Sequence, residues 1–411
     1  MSGGPVEARA FAALDRRLDA AGPAPLAVAV SGGGDSMALL LLADAWARRA
    51  GRPLRVLSVD HGLNPESGRW AAFVADGAAR LGRPAEVLRW RGEKPSTGLP
   101  AAARSARHAL LADAAREAGA RVLLMGHTAN DVAEGEQMRA EGSTLGRVRE
   151  WSPSPAWPEG RGVFLLRPLL GTGRAELREW LQARGEGWIE DPANADPRFG
   201  RTRARRHLAA HPNESRSPDA PDPAGESPGA GFRGDERWGG VGLARHASER
   251  VLGAALLCAS GGVRPPRAEA VQRLAERLRS GGAFTATLAG ARLIAIGTQV
   301  LVGRESGRSG LAELAVEPGR SVVWDGRFEV ASQQSAVVKP LRGSAARLSR
   351  ADREALRTVP APFRPTLPVI ETGAGAVACP LFTMPPAARS RVGERLRAAC
   401  GAFSREQDIP R

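Results

Sequence analysis

The stretch LAVAVSGGGDSMALL, residues 26–40, decides the fold of this chain. An apolar, β-branched run stops at the motif SGGGDS, residues 31–36, and a helix-forming run follows directly. A strand, a glycine turn and a helix start in this order present backbone N–H groups to a phosphate, because glycines let the main chain approach the anion. Ser31 and Ser36 add hydroxyl donors, and the helix dipole favours negative charge there. The stretch therefore predicts a phosphate-binding loop.

Asp35 is out of place in a simple phosphate site, because a carboxylate repels phosphate. Its position is explained if Mg²⁺ sits between the carboxylate and the phosphates. The alternative is a plain strand-to-helix turn with Asp35 or Ser36 as the helix N-cap. The loop lacks the Gly-Lys-Ser/Thr of a Walker A motif, and Asp35 interrupts the dinucleotide fingerprint. We therefore interpret Asp35 as a magnesium ligand in a nucleotide site.

The composition indicates a basic protein with apolar cores. The chain has 411 residues, 43% of them hydrophobic, which is enough for two domains. No apolar run approaches the ~20 residues of a membrane span, and the N-terminal residues lack an apolar signal core, so we expect a cytoplasmic protein without membrane contact. The net charge of +14 indicates a polyanionic partner such as nucleic acid, with a merely basic surface as the alternative.

The first half of the chain alternates strand-like and helix-like runs, which predicts a doubly wound parallel sheet with helices on both faces. Ligands of such sheets bind outside the carboxyl ends of the strands. The predicted strands cover residues 26–30, 54–59, 85–90, 122–125 and 163–166, and the predicted helices cover residues 36–49, 66–81, 101–118, 130–141 and 174–184.

Three regions are predicted along the chain. Residues 1–210 form the α/β domain, and residues 211–240, rich in Pro, Gly and Ser, form a flexible linker. Residues 241–411 form a smaller α+β domain. The predicted elements of this domain are helices at 246–259 and 267–280 and strands at 284–288, 293–296, 299–302, 321–324 and 328–330.

Polar side chains follow several of the predicted strands. His61, in Asp60-His61-Gly62, closes the second strand, and we assign it to the nucleotide side rather than to a simple turn. Arg104 and Arg107 are three residues apart on one helix face, where they can neutralise phosphate oxygens. A solvated basic face is the alternative for these two arginines.

The motif GHTANDVAE, residues 126–134, follows the fourth strand. Asp131 and Glu134 share one face near the start of the next helix, and paired carboxylates suit an ammonium group or Mg²⁺. His127 can contact phosphate, and Thr128 can cap the helix. The alternative is a pair of first-turn acids that only complement the helix dipole.

An arginine cluster precedes the predicted linker. It lies at a predicted domain edge, because the turn at residues 190–194 leads into it. Such a run suits contact with a phosphate backbone, although a solvated helix face is the usual explanation of a charge run. Its members are Arg198, Arg201, Arg203, Arg205 and Arg206.

These motifs together resemble the tRNA(Ile)-lysidine synthase family of the PP-loop ATP pyrophosphatases. SGGGDS alone resembles the PP-loop superfamily. DHG, the ARSAR helix, GHTANDVAE, RPLL and GWIEDPANADPRFGRTRAR then follow in the order of the family, over roughly residues 25–210. The chain departs from the usual residues of the family at Pro100, His108, Val132 and Gly135.

The resemblance implies a Rossmann-like PP-loop domain, a C-terminal tRNA-recognition domain and a two-step reaction. ATP with Mg²⁺ adenylates the 2-carbonyl oxygen of the wobble cytidine in the CAU anticodon of tRNA(Ile), and pyrophosphate leaves. The ε-amine of L-lysine then displaces AMP, which yields lysidine and changes the codon read from AUG to AUA.

The resemblance also implies roles for individual residues. The nucleotide is assigned to Ser31, Gly32, Gly33, Gly34, Asp35, Ser36 and His61. The other implied roles are Mg²⁺ binding for Asp35, contact with the phosphates or the adenylate for Arg107, His127 and Arg205, and binding of the lysine ammonium for Asp131 and Glu134.

Other PP-loop activities are the alternatives. A thiolase needs cysteines near the loop, whereas the first cysteine of this chain is Cys258, followed by Cys379 and Cys400. Their spacing forms no zinc motif, and we interpret them as reduced, structural thiols. An amide ligase needs an amidotransferase nucleophile, which nothing here supplies, and an inactive tRNA-binding protein would not need Asp35 or Glu134. The residues neither require nor exclude a homodimer.

Overall fold

The computed structural model describes residues 4–143, 146–191, 200–210, 233–235, 238–307, 310–373 and 375–410. The chain divides into two compact units. The first comprises Met1–Ala224 together with Phe403–Arg411, and the second comprises Gly225–Ala402. No helix among the described residues is long and apolar enough to span a membrane.

The first unit is built from parallel strands with helices between them. Its helices are α1 (Pro5–Arg17), α2 (Gly34–Ala50), α3 (Ser67–Arg80), α4 (Leu99–Glu117), α5 (Ala129–Ala140), α6 (Arg174–Gln182) and α7 (Gly200–Ala210). Its strands are β1 (Leu26–Ala29), β2 (Leu54–Asp60), β3 (Ala85–Arg89), β4 (Val122–Met125), β5 (Trp151–Pro153) and β6 (Phe164–Leu166).

The strand order of the sheet is β3-β2-β1-β4-β6-β5. All neighbours pair in parallel except β5, which pairs antiparallel with β6. The chain moves from β1 towards β3 on one side and returns to β4 on the other, so the order reverses between β1 and β4. Because Ala29 pairs with Met125, the segments that follow these two strands leave the sheet side by side. This is the position at which doubly wound sheets bind ligands.

The central strands are buried on both faces, as their uninterrupted apolar sequences predict. Leu26, Ala27 and Val28 of β1 are at most 1% exposed, and all four residues of β4 are buried. Helix α2 packs its apolar residues against this sheet, and the indole Nε1 of its Trp46 donates to Asp15 Oδ1 at 2.7 Å. The helix is therefore fixed in place at the end of the glycine turn.

The predicted doubly wound α/β fold is confirmed. Every predicted strand of the first half is present within one residue at each end, and every predicted helix within two. Helices α1 and α7 and strand β5 were not predicted. Strand β5 has only three residues, which is too short to show an alternating pattern.

The second unit is an α+β fold, as predicted. Two of its helices flank a five-stranded antiparallel sheet, and two smaller sheets follow. Its helices are α8 (Glu249–Ala259), α9 (Ala268–Arg279), α10 (Arg350–Leu356) and α11 (Val392–Ala399). Its strands are β7 (Arg233–Asp235), β8 (Gly240–Ala244), β9 (Phe284–Leu288), β10 (Ala291–Ile296), β11 (Gln299–Arg304), β12 (Leu314–Val316), β13 (Ser321–Trp324), β14 (Phe328–Ala331), β15 (Ala336–Pro340), β16 (Pro368–Thr372), β17 (Val377–Ala378) and β18 (Ala388–Ser390).

Two predicted boundaries are corrected. The linker predicted over residues 211–240 lies partly outside the described residues, but Arg233–Asp235 forms strand β7 and pairs antiparallel with β8. Backbone hydrogen bonding to a neighbouring strand thus overrides the glycine-rich composition. The second boundary is the C-terminal one, because Phe403–Arg411 groups with the first unit.

The C-terminal segment is held to the first unit by buried polar contacts. The guanidinium of Arg52 binds Glu406 through two hydrogen bonds of 2.7 and 2.9 Å, with side chains only 1% and 6% exposed. The indole of Trp151 donates to the carbonyl oxygen of Phe403 at 2.8 Å. These contacts explain why the segment belongs to the first unit.

Candidate active site

The glycine turn follows β1 directly and leads into α2. Gly33 is the N-cap of this helix, and Asp35 lies in its first turn. The first backbone N–H groups of a helix have no carbonyl partner within the helix, and the helix dipole is positive at this end. The turn therefore offers the anion-binding geometry that its sequence predicts.

Two positions near the turn require glycine, because neighbouring atoms lie too close to leave room for a side chain. Gly32 has φ +88°, and a Cβ there would lie 2.5 Å from the Ile189 side chain. A Cβ on Gly126, which follows β4, would lie 3.1 Å from the main-chain oxygen of Asp35. The absence of side chains at Gly32 and Gly126 lets the two loops at the point of strand reversal pack against each other and against the Trp188–Ile189 dipeptide.

The GWIED segment covers one side of the glycine turn. The backbone N–H of Ile189 donates to Gly32 O at 2.9 Å, and Trp188 lies in van der Waals range of Gly34. The Trp188 indole donates to Glu190 at 2.8 Å. Sequence reasoning treated this segment only as the approach to the arginine cluster, whereas it contributes to the wall of the nucleotide loop.

The two serines of the loop differ in exposure and in their partners. The Ser36 hydroxyl donates to Gly33 O at 2.8 Å and accepts from the Ser31 N–H at 3.1 Å. Ser36 is buried, whereas Ser31 is exposed. Ser36 therefore braces the turn, and the Ser31 hydroxyl, which lies 3.2 Å from Ser36 Oγ, is the more exposed of the two.

The acids of GHTANDVAE lie in the first two turns of α5. Asp131 accepts hydrogen bonds from the Thr128 N–H at 2.9 Å and the Thr128 hydroxyl at 3.0 Å, so it caps the helix. Glu134 is 2% exposed. Capping accounts for part of the role of Asp131 but not for the burial of Glu134.

Arg174, the first residue of α6, joins these acids to the glycine loop. Its Nε donates to Asp35 Oδ2 at 3.0 Å, and its Nη1 donates to Glu134 Oε1 at 3.2 Å. Its Nη2 lies 3.7 Å from Asp131 Oδ2. Arg205 from α7 adds a bond from Nε to Glu134 Oε1 at 2.9 Å. Three acids that the sequence singled out thereby surround one guanidinium group, and Arg205 joins the cluster through Glu134.

Three carboxylates face the guanidinium groups of Arg174 and Arg205, and the charge of Arg178 also acts on Asp35. Burial raises the pKa of the Asp35 carboxyl above its ordinary value, and the charge and hydrogen bond of Arg174 offset part of that rise. Burial lowers the pKa of Arg174, but the nearby carboxylates outweigh it and the net pKa is raised.

Glu134 supplies an acceptor that is not used within the described residues. Its Oε1 accepts from both arginines, whereas its Oε2 is buried without a hydrogen-bond partner. A buried carboxylate oxygen without a donor is costly. We interpret Oε2 as the atom that receives a donor from a bound ligand.

His127 is fixed by Arg167, which the sequence placed in the RPLL motif. The Nε–H of Arg167 donates to His127 Nδ1 at 3.2 Å, and its Nη1 donates to Arg149 O at 2.7 Å. Because an arginine Nε always carries a proton, Nδ1 of His127 is the acceptor. The remaining ring nitrogen, Nε2, then carries the proton of the neutral imidazole and can donate to an anion.

His61 and Arg107 belong to a second, cationic group. Burial lowers the pKa of His61, and the charge of Arg107 lowers it further. His108, one of the departures from the family pattern, is 5% exposed. Burial and the charges of Arg107, Arg104 and Arg167 lower its pKa to about 3. His108 is therefore neutral beside these arginines.

The arginine cluster lies partly on α7. Arg203 and Arg206 are exposed, while Arg205 is half-buried and faces Glu134. Arg198 lies outside the described residues. Arg205 is thus separated in role from its neighbours, although the sequence shows all of them as one run.

The main residue that sequence reasoning missed is Arg174. It lies 40 positions beyond Glu134, where no local spacing connects them. One signal was available: β6 neighbours β4 in the sheet, so the first residue of the helix after β6 emerges beside the loop after β4. Asn130 was also missed, and its Oδ1 accepts from the Arg174 N–H at 2.8 Å.

The donor set fits a magnesium ion that arrives with a nucleotide. Mg²⁺ bound with phosphates needs only one or two protein carboxylates, and Asp35 supplies one at the loop. Within the described ranges no group of three or more His, Cys, Asp or Glu side chains is arranged to hold a metal by itself. The three cysteines are buried in the second unit, where burial raises the pKa of Cys258 and Cys379 to about 12.

Comparisons with known proteins agree with this geometry. Residues 7–211 match the model of the PP-loop domain family. The chain is 52% identical over 363 residues to a tRNA(Ile)-lysidine synthase of Caulobacter vibrioides, covering 87% of each protein. It is 43% identical to a tRNA(Ile)-lysidine synthase of Hyphomonas neptunium, covering 74% of this chain and 88% of that protein. A solved U34-tRNA thiolase from Methanococcus maripaludis is 17% identical with a TM-score of 0.42, covering 51% of this chain and 75% of that one.

Proposed function

Since the chain belongs to the tRNA(Ile)-lysidine synthase family of ATP-dependent PP-loop ligases, we propose that it joins L-lysine to the wobble cytidine in the CAU anticodon of tRNA(Ile). The observation that carries the proposal is the cluster around Arg174, which links the glycine loop to two acids at the point of strand reversal. One end of this cluster suits a nucleotide and the other suits an amine.

The glycine loop is the nucleotide site in this proposal. The backbone of residues 32–34 and the exposed Ser31 hydroxyl face the phosphates, and Asp35 holds Mg²⁺. When bound, the ion would neutralise charge on the departing pyrophosphate. Ser36 supports the site indirectly, because its hydroxyl holds the turn closed through Gly33.

In the first step the 2-carbonyl oxygen of cytidine attacks the α-phosphorus of ATP. The new O–P bond forms as the bond to the β-phosphate breaks, and pyrophosphate leaves. We assign the stabilisation of this charge to the Nε2–H of His127 and the guanidinium of Arg107. The hydrogen bond from Arg167 to Nδ1 of His127 supports the first of these assignments. No protein nucleophile is needed.

In the second step the ε-amine of lysine attacks C2 of the adenylated base. The C–N bond forms, the C–O bond to AMP breaks, and the amine gives up a proton. Glu134 Oε2 is the acceptor we assign to the ammonium and its proton, because Asp131 already accepts two hydrogen bonds from Thr128. Asp131 contributes charge to the same site.

The tRNA is assigned to the exposed part of α7 and to the second unit. Arg203 and Arg206 are exposed on α7, and Arg205 of the same helix hydrogen-bonds to Glu134. The phosphate backbone of the tRNA can therefore bind next to the acids of the site. The relative from Caulobacter vibrioides matches 87% of this chain, so the likeness extends into the second unit.

The tRNA assignment predicts a salt effect. The logarithm of the affinity falls as the logarithm of the salt concentration rises. Arg203→Gln and Arg206→Gln will each make this slope less steep by about 0.7–0.9, because each removes one phosphate contact. The control is Arg48→Gln, in the last turn of α2 and therefore at the far end of that helix from the glycine turn, which will leave the slope unchanged. Filter binding at several salt concentrations measures it, and equal slopes in all variants would remove α7 from the interface.

The direct test uses CAU-anticodon tRNA(Ile), ATP, Mg²⁺ and labelled lysine, followed by mass analysis of the nucleosides. We expect lysidine when all components are present. When lysine is left out, we expect a cytidine that still carries the AMP group. The same tRNA with uridine at the wobble position is the control and will take up no label. Cleavage of ATP without transfer of lysine to the CAU tRNA would overturn the proposed acceptor.

A further inference from the structure

The backbone of Arg174 is held in place by contacts that do not involve its side chain. Its backbone N–H, at the start of α6, donates to the Asn130 side chain at 2.8 Å. The Ala129 N–H donates to Thr172 O at 3.1 Å. Helix α5, which carries both acids, is therefore joined to the start of α6 by two hydrogen bonds outside the charged cluster.

The guanidinium uses three different nitrogens for three acids. Nε faces Asp35, Nη1 faces Glu134, and Nη2 faces Asp131, at 3.0, 3.2 and 3.7 Å. The guanidinium is planar and its N–H groups point in fixed directions, so it can hold three carboxylates in one arrangement. A lysine ammonium is a compact point charge without such fixed directions. The Arg174 side chain is only 20% exposed, so water screens these interactions weakly.

These three acids belong to two substrate sites in the proposed function, on which this inference rests. Asp35 serves the nucleotide, and Asp131 and Glu134 serve the amine. Without Arg174 the carboxylates would repel one another and would repel the phosphates as well.

We infer that Arg174 is a positioning residue that holds the acid of the nucleotide loop and the two acids of the amine site in one arrangement, so that ATP and lysine both depend on it. Arg174 itself touches neither reacting atom. Its removal separates the two sites, whereas loss of Asp35 or Glu134 impairs mainly one of them.

The test is the affinity of each substrate, measured by calorimetry on the full chain. Arg174→Ala will weaken both Mg·ATP and lysine by about tenfold or more, in line with the loss of charge-assisted bonds. Arg184→Gln, two residues beyond the end of α6 and paired with Glu7, is the matched control and will change neither affinity. Guanidinium ion added to the alanine variant will restore both affinities together, and methylammonium will not.

The outcomes separate the inference from the proposed function. If Arg174→Ala weakens only one substrate, or if guanidinium restores only one, the inference is wrong while the function stands. If the wild-type protein binds ATP but no lysine, the function itself fails. Should the alanine variant not fold, Arg174→Lys keeps the charge but loses the fixed donor directions, and both affinities will still fall; unchanged affinities in that variant contradict the inference.

Discussion

Replacing Asp35 by alanine will abolish AMP formation, with a fall of about 10³-fold or more in the first step, while tRNA binding stays nearly intact. The expected size follows from the loss of a charged group at the position where phosphate charge develops. Asp35 lies in the first turn of α2, away from the exposed arginines of α7. Thin-layer separation of labelled AMP measures the chemistry, and a gel shift measures tRNA binding.

The matched control for this change is Glu176→Ala. Glu176 is also a first-turn acid of a helix in the same unit, but it is exposed and pairs with Arg9. AMP formation in this variant will stay within about threefold of wild type, because an exposed ion pair contributes little. Retained AMP formation in Asp35→Ala would remove the glycine loop from the role we give it.

Replacing Glu134 by glutamine will raise the lysine requirement about 10- to 100-fold, and will raise the ATP requirement much less. A charge-assisted hydrogen bond contributes about 1.5–3 kcal/mol, and the amide keeps the size of the side chain while losing that charge. The Oε2 atom of Glu134 is buried without a partner, so a ligand donor is the contact that changes most. Steady-state kinetics with lysine and ATP varied in turn measure the two requirements.

Glu136→Gln is the control for this second change. It lies on the same helix, is half exposed, and pairs with Arg139 and Arg147 rather than with the cluster. We expect its lysine and ATP requirements to match those of the wild type. A Glu134 variant whose lysine dependence is unchanged would place the amine elsewhere.

The doubly wound parallel class of the sheet could be predicted from the sequence because strand-like and helix-like runs alternate along the first half of the chain. Short parallel connections then leave few possible strand orders. Strand β5 could not be predicted in this way, because its three residues form no pattern and it exists only by pairing with β6.

The acids of the site could be predicted, but not the cation that organises them. Asp131 and Glu134 are three residues apart on one helix, so their shared face is a local property. Arg174 meets them only because β6 lies beside β4, which is a property of the whole sheet. The hydrogen bond from the Ser36 hydroxyl to Gly33 O likewise could not be predicted, because it depends on the exact conformation of the turn.

The ion pair between Arg52 and Glu406 has a consequence for the order in which the two units complete their folding. Glu406 leaves the ribosome only after the whole of the second unit has been synthesised. Until then the guanidinium of Arg52, 1% exposed in the finished fold, lacks its carboxylate. Breaking such a buried pair costs about 3–5 kcal/mol. The ATP-binding unit therefore completes its folding only after the second unit has been synthesised, and the part that performs the chemistry reaches full stability after the unit that follows it along the chain.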